Sequence, residues 1–440
     1  MTIPATWRQA LLAALLVMPS AGQTIPETLT LPQAIDIALS QRAEVDAARE
    51  AINARIGAET QAGKSPNPTL FLQSENWRFH GTPGFSASRD LDLFAFVSQP
   101  LETAGKKTRR VALAGEDRRI AELQREAAAW RIRQEVKLAY WNAVSAGRYE
   151  TVLAERRDAV TRLVDYHEIR VRLGAAAELD LIKVQLESEK IEMQYIAAQT
   201  QTEQFKLELA GAMGFAMGLT NAASSVALRD PGLPDRTKTP DVEHLVETAL
   251  SSRVEVRLAR AMIERARARL GVQQASAKPD VTPYFGYKRT AGFNTLIGGV
   301  SVPLTAFDKR SGAIEEAASE VRESEAALRS AQARVRAEVT TAATLLRRRA
   351  DMLKRINDRM LGRADETARV ALAAYEEGGT ELLSLIDAQR TRIEVGLLLA
   401  QASRDYALGW VDLESAVGAE QLLQVTAASQ TAAFTAPGRE

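Results

Sequence analysis

Only three imidazoles occur in the 440 residues, His80, His167 and His244, and they lie far apart in sequence. That spacing does not suggest a zinc or copper site, so surface or interface positions are expected for them. Cysteine is absent, which removes thiolate metal sites, disulfides and an acyl anchor on an N-terminal cysteine. Acidic side chains are plentiful but dispersed, and no phosphate loop, HExxH motif, or Ser/His/Asp or Cys/His set occurs. Enzyme chemistry and a bound cofactor are therefore not expected. The 56 basic and 56 acidic residues cancel, which gives no field to attract nucleic acid. The chemistry that does stand out is charge placed after proline. VSQPLETAGKK (97–107) carries Pro100, Lys106 and Lys107, and VSVPLTAFDKR (300–310) carries Pro303, Lys309 and Arg310.

That repeated phrase belongs to a duplication of most of the chain. ALSQRAEVDAAR (38–49) and ALSSRVEVRLAR (249–260) agree at eight of twelve positions with an offset of 211. KSPNPTLF (64–71) matches AKPDVTPYF (277–285), and LGAAAELDLI (173–182) matches EGGTELLSLI (377–386). Two units, rather than an array of many, are implied. Between Pro100 and Pro231, and between Pro303 and Pro437, there is no proline. Each arm is rich in Ala, Leu, Glu, Arg and Gln and should be helical. Gly174 in one arm and Gly378 with Gly379 in the other should end a helix, with Glu178 or Thr380 starting the next. Each arm is thus a helical hairpin, and a helix from about Ala104 to Leu173 would be about 100 Å long at 1.5 Å per residue. In the second arm Leu353, Ile356, Met360, Val370 and Ala374, with Ile386, Ile393, Leu397 and Ala400 on the return, are expected to form one narrow apolar seam.

Ahead of each arm lie two segments of strand length, 69–79 with 91–101 and 281–290 with 295–304. In the second pair, Leu296, Val300 and Val302 alternate with Thr295, Gly299 and Ser301, the pattern of a membrane β-strand. The first pair is apolar on both faces, with Phe94 and Phe96 opposite Leu93, Ala95 and Val97. A soluble strand pair packed on both sides is the alternative reading. If the strands cross a membrane, four are too few to close a barrel, and open edges are not tolerated in lipid. Three chains would supply twelve strands and twelve helical columns. At the N-terminus, Arg8, the apolar run 11–18 and the small residues Ser20, Ala21 and Gly22 read as a signal peptide (1–22) cleaved near Ala21 to Gln23. The remaining organisation is a first repeat over 23–230, a second over 231–420 and a tail over 421–440.

Over nearly its whole mature length the chain resembles the outer-membrane efflux proteins of the TolC family. The phrase SQPLETAGKK is most similar to the CzcC/CusC-type channel components of heavy-metal efflux systems, and LTLPQAIDIALSQRAEV (29–45) is similar to the family's opening helix. The resemblance implies a mainly α fold with a small β part: duplicated long helical hairpins and four β-strands per chain. It implies a homotrimeric 12-stranded outer-membrane β-barrel on a 12-helix periplasmic α-barrel in a Gram-negative bacterium. Substrates, heavy-metal cations among them, would pass from an inner-membrane RND-type pump through a periplasmic membrane-fusion adaptor to the exterior, with outer-membrane lipid around the strands. Pro100, Lys106, Lys107, Pro303, Lys309 and Arg310 would then mark where strands leave the membrane, although solvated first helical turns explain the same basic pairs. The tips, Val171, Arg172, Leu173, Gly174 and Ala175 with Tyr375, Glu377, Gly378, Gly379 and Thr380, would meet the adaptor. Asp180 and Asp387 fall where family members ring the aperture with acids, and Ser384 departs from that pattern. Multidrug efflux, a type I secretion duct, and a periplasmic coiled-coil scaffold without a pore remain open from the residues alone.

Overall fold

The structure is a computed structural model that describes residues 28–77, 84–215, 226–234 and 241–419. The signal-peptide expectation, His80 and the 421–440 tail lie outside the described residues. Two-residue strands β1 (Thr28–Leu29) and, later, β4 (Ala227–Leu228) pair in parallel. Between them run α1 (Leu31–Gln41), α2 (Ala43–Ala62), β2 (Thr69–Glu75), a single helical turn at Ala87–Asp90, β3 (Asp92–Ser98), α3 (Lys106–Arg172) and α4 (Glu178–Ala212). The second repeat supplies α5 (Val242–Ser252), α6 (Val254–Ser276), β5 (Thr282–Thr290), β6 (Phe293–Ser301) and α7 (Ser311–Arg355). A π-helical turn (Ile356–Leu361), α8 (Gly362–Glu376) and α9 (Leu382–Val417) complete it. At 67 residues, α3 is about 100 Å long. No described helix is long and apolar enough to cross a membrane.

The duplication is visible in side-chain chemistry as well as in element order. Arg42, at the break between α1 and α2, holds Glu44 (2.5 Å) and Glu135 of α3. Arg253, at the break between α5 and α6, holds Glu255 (2.9 Å) and Glu338 of α7. The Arg42 hydrogen bond pulls the Glu44 carboxyl down to about 2. Each break packs on an apolar core: Ile132, Val136, Tyr140 and Leu209 in the first repeat, Val335, Val339, Leu346 and Leu413 in the second. The Tyr140 hydroxyl donates to the carbonyls of Leu29 (2.8 Å) and Arg229 (2.6 Å), tying the β1–β4 pair to α3, and burial pushes its pKa up to about 12. One buried ion pair, Lys137 Nζ to Glu414 Oε1 at 2.7 Å, joins α3 of the first repeat to α9 of the second. Breaking it from one side would strand a charge in the interior.

The apolar seam of the second arm differs from the heptad expectation. Val339, Leu346 and Leu353 are buried at seven-residue spacing, but Met360 and Val370 are exposed. The π turn at 356–361 inserts one residue into the helical repeat, which rotates everything after it by one position. The seam resumes at Leu361, partly buried, and continues through Ala368 and Tyr375. Ile356 and the return-helix positions Ile386 and Ile393 are buried as expected.

The four long strands form one antiparallel sheet in the order β2-β3-β5-β6. The strands are shorter than expected in the first pair, where β2 ends at Glu75 before Asn76 (φ 65°) and β3 ends at Ser98 before Pro100. Leu101 adds one further bridge to Val281. Ala291 and Gly292, with φ of 50° and 80°, make the two-residue turn of the β5–β6 hairpin. Register settles the first pair's ambiguous faces: Leu70 faces Val97, and Val97 faces Phe285. One face therefore carries Leu70, Leu72, Ala95, Val97, Phe285, Tyr287, Leu296 and Val300. The other carries Thr69, Gln73, Thr282, Lys288, Thr295 and Ser301 around a cluster of Phe71, Phe96 and Tyr284. On the first face Leu70, Leu72, Phe285, Leu296 and Val300 are all exposed.

Candidate functional site

The two hairpin tips are built by the same backbone device. After α3, Gly174 adopts φ 70°. The Ala175 N–H donates to Arg170 O (2.8 Å) and the Gly174 N–H to Val171 O (2.9 Å). After α8, Gly378 adopts φ 74°, Gly379 N–H donates to Ala374 O (2.7 Å) and Gly378 N–H to Tyr375 O (3.1 Å). This pair of bonds satisfies carbonyls that a helix end leaves open and needs a left-handed residue, which glycine supplies without strain. The returning helix begins at Glu178 as expected in the first repeat, while the second begins at Leu382, with Glu381 rather than Thr380 at the position before it. Arg172, Leu173, Gly174, Ala175, Glu377, Gly378 and Gly379 are exposed; Val171 and Thr380 are half-buried.

Tyr375 is not displayed at the tip. It is 9% exposed and packs behind it with Val184, Leu382, Leu385 and Ile386. Its hydroxyl lies 3.3 Å from Nε2 of His167, which is fully buried rather than at the surface position expected of it; His244 is exposed. Arg170 sits 5.6 Å from the rings of both Tyr166 and Tyr375 and donates to Ala175 O (3.1 Å). Burial first, and then the Arg170 charge, hold the His167 pKa below its ordinary value. Nδ1 of His167 is buried without a hydrogen-bond partner. The sequence signal for this cluster is the heptad Leu153, Val160, His167, which places the histidine on the buried stripe of α3.

Asp180 lies in the first turn of α4, half-buried, with Lys183 Nζ at 3.5 Å. Ser384 and Asp387 are exposed on α9. Just beyond them Arg390 spans to α4, gripping Glu187 through Nε–Oε1 (2.9 Å) and Nη2–Oε2 (2.5 Å) and holding that carboxyl below its usual range. This clamp between repeats was not singled out from sequence. Its partners lie on matching turns of the two hairpins, which is the signal that could have found it. Among the described residues no cluster of three or more His, Asp or Glu could hold a metal ion.

At the other end, the two strand-to-helix junctions differ. In the first repeat the junction is latched: Lys106 Nζ and the Thr103 N–H both reach Asp280 Oδ1 (2.7 and 2.9 Å), and Arg110 grips Glu102. Gly105, with φ 69°, starts α3. In the second repeat Pro303, Lys309 and Arg310 are exposed, as is Lys107 in the first, while Pro100 is half-buried. Leu304 and Phe307 are bare.

Residues 34–215 and 245–419 match the outer membrane efflux protein family. The cobalt-zinc-cadmium resistance protein CzcC of Cupriavidus metallidurans is 25% identical over 365 residues, covering 82% of this chain and 84% of that protein. Among solved structures, the outer-membrane channel OprN superposes with a TM-score of 0.72 at 18% identity, covering 88% of this chain and 89% of that one. CusC gives 0.71 at 15% identity, covering 88% and 92%, and VceC of Vibrio cholerae 0.70 at 18%, covering 88% and 96%. The two matched segments together cover most of the chain, which belongs to the outer membrane efflux protein family, whose members are transport components rather than enzymes.

Proposed function

We propose that three copies of this chain assemble into the exit duct of a tripartite efflux system, passively conducting heavy-metal cations outward from an inner-membrane RND-type pump and its periplasmic adaptor. One observation carries the reading. The four-stranded sheet has an exposed apolar face and two unpaired edges, β2 and β6. Unpaired edges invite a further strand, and in lipid only a closed ring satisfies them. Three copies give twelve strands, within the known range of such barrels. The helices support the same assembly: Leu179, Ile182, Leu186, Met193 and Ile196 form an exposed stripe along α4, at the three- and four-residue spacing of a helix face that packs on another helix. The exposed tips are the surfaces offered to the adaptor, and Asp387 with Asp180 offers negative charge near the narrow end, which favours cations. Heavy metal as cargo rests on the likeness to the cobalt-zinc-cadmium resistance protein. The N-terminal segment 1–22 is assigned as the export signal.

Purified protein added to a planar bilayer is expected to give discrete ion-conducting steps, and the deletion strain to lose growth on cobalt, zinc or cadmium. Silence in the bilayer, with release of the protein from membranes by a salt wash, would instead establish a pore-less scaffold. Sensitivity to organic compounds alone would replace the cargo and leave the duct.

A further inference from the structure

The internal duplication gives the register of a seam that one chain cannot show by itself. Within the chain, the second strand of repeat one (β3) pairs with the first strand of repeat two (β5). The unpaired edges are the remaining combination, the second strand of repeat two (β6) and the first of repeat one (β2). The two hairpins are in step with each other: Thr69 faces Ser98 in the first, as Thr282 faces Ser301 in the second. Each residue of β3 therefore has a defined counterpart in β6, and each of β5 from Thr282 to Lys288 has one in β2.

Resting on the trimeric reading above, we infer that β6 of one copy pairs antiparallel with β2 of the next in the register of the β3–β5 seam, setting Ser301 directly against Phe71 of the neighbouring copy. The side chains fit. Ser98 faces Tyr284 within the chain, and Ser301 would face Phe71: a small hydroxyl opposite an aromatic ring in both seams. Val97 faces Phe285, and Val300 would face Leu72, each pair on the apolar face. Phe96 faces Gly286, where a Cβ would collide with the β3 backbone. Gly299 would face Gln73, so a glycine again stands opposite a large residue. A one-residue slip would put the apolar row of β6 against the polar row of β2.

The same mapping extends to the junction. Asp280, which receives Lys106 within the chain, corresponds to Asn67, so Lys309 would reach Asn67 of the neighbouring copy. This explains why Lys309 is exposed while Lys106 is not. The latch between copies is also the weaker one: a neutral amide replaces the carboxylate, and Pro68 stands where Val281 donates its N–H to Leu101 O.

Cysteine cross-linking in the full-length protein tests the register, because the chain has no cysteine of its own. Ser98 and Tyr284 lie three residues along β3 from the doubly bonded Leu101–Val281 bridge, so they and their counterparts are a close, non-hydrogen-bonded pair. Such Cα atoms lie about 4.5 Å apart, within disulfide range. Ser301→Cys with Phe71→Cys is expected to convert the monomer band on a denaturing, non-reducing gel to a covalent trimer. Ser301→Cys with Thr69→Cys or Gln73→Cys, displaced by two residues, is expected to leave mostly monomer. Val300→Cys with Leu72→Cys, the adjacent hydrogen-bonded pair whose Cα atoms lie about 5.5 Å apart, should also cross-link, without touching the aromatic cluster. Asn67→Asp should raise the temperature at which trimer dissociates, and Lys309→Ala should cancel the gain. Trimers by mass in detergent that cross-link through an offset pair, or through none, overturn the register and leave the trimer standing. A monomer in detergent with no cross-link from any pair overturns the trimer itself.

Discussion

The first and second hairpins end in the same pair of backbone bonds, each built on one left-handed glycine, Gly174 or Gly378, yet they reach those ends by different helices. In the first, α3 runs uninterrupted for 67 residues, with Leu153, Val160 and His167 buried at strict seven-residue spacing. In the second, the π turn at Ile356–Leu361 breaks that spacing, and the seam passes from Leu353 to Leu361, Ala368 and Tyr375. A duplicated chain thus kept the turn chemistry, which admits few residues, and varied the helix interior, which admits many. The consequence is local: the extra residue places Tyr375, rather than a neighbour, against His167.

The largest effect expected from this difference comes from deleting one residue in each arm. Removing Met360 takes the extra residue out of the π turn. The downstream seam then falls back into step with Leu346 and Leu353, and a regular α-helix carries it. Removing Glu155, which is exposed between Leu153 and Val160, does the reverse. It turns Val160 and His167 about 100° away from their partners, at a cost of about 1.5–3 kcal/mol for a Val-sized side chain brought out of the core, with His167 adding to it. Thermal unfolding followed by circular dichroism should show the Glu155 deletion strongly destabilised and the Met360 deletion close to the parent. Equal losses would mean that the π turn is not a removable insertion.

The two arms also differ in how much of them the sequence disclosed. The hairpins, their glycine ends and the four strands were legible because each rests on a local rule: proline avoidance, a left-handed residue, a two-residue alternation. The π turn was not. Nothing in INDRML forbids an ordinary helix, while Ile356 and Leu361 at its two ends pack in one core with Val395 and Leu398 of α9, a contact that no local rule announces, and Met360 and Val370 lie outside the seam. The first strand pair was ambiguous for a related reason. With Phe94 and Phe96 opposite Ala95 and Val97, both faces are apolar, and only pairing with Phe285 and Tyr287 of the second repeat tells them apart. Tyr375 stands three residues before Gly378, close to the tip in sequence, yet helical phase turns it inward. What neighbours decide, spacing alone does not show.

A smaller, shared effect is expected where the arms are alike. A Cβ added at Gly174 or Gly378 meets no neighbour within 4 Å, so the cost of valine at either site starts from that of the left-handed backbone, about 1–2 kcal/mol for an L-residue. Both variants should retain trimers, judged by mass in detergent, and lose export, because a branched side chain at the tip keeps a partner helix from close approach. Unimpaired export from both would remove the tips as the docking surface. Impairment from only one would show that the adaptor distinguishes the repeats.

The smallest effect, confined to part of the pH scale, separates the arms again. His167 on α3 faces Tyr166 and Arg170 of its own helix, Tyr375 of α8, and the more distant Asp180 of α4. Burial and the Arg170 cation hold its pKa below the value near 6.5 that it has in the unfolded chain. The unfolded chain therefore binds the proton more readily. The stabilising contribution of neutral His167 is fully present above about pH 6.5 and is lost as the pH falls through that value toward the lower pKa of the folded state. Amide exchange measured between pH 7.5 and 5.5 should show the α3–α8 contact near Tyr375 opening faster on acidification, with the distant Arg42 and Arg253 breaks unaffected. Val171 occupies the position of Tyr375 in the first repeat and Ala371 that of His167 in the second, so the response should be confined to one of the two structurally matched helix ends. His167→Gln keeps a polar side chain of similar reach and should abolish the acid response. If the response persists in that variant, it arises from another group, and the asymmetry between the hairpins is one of packing alone.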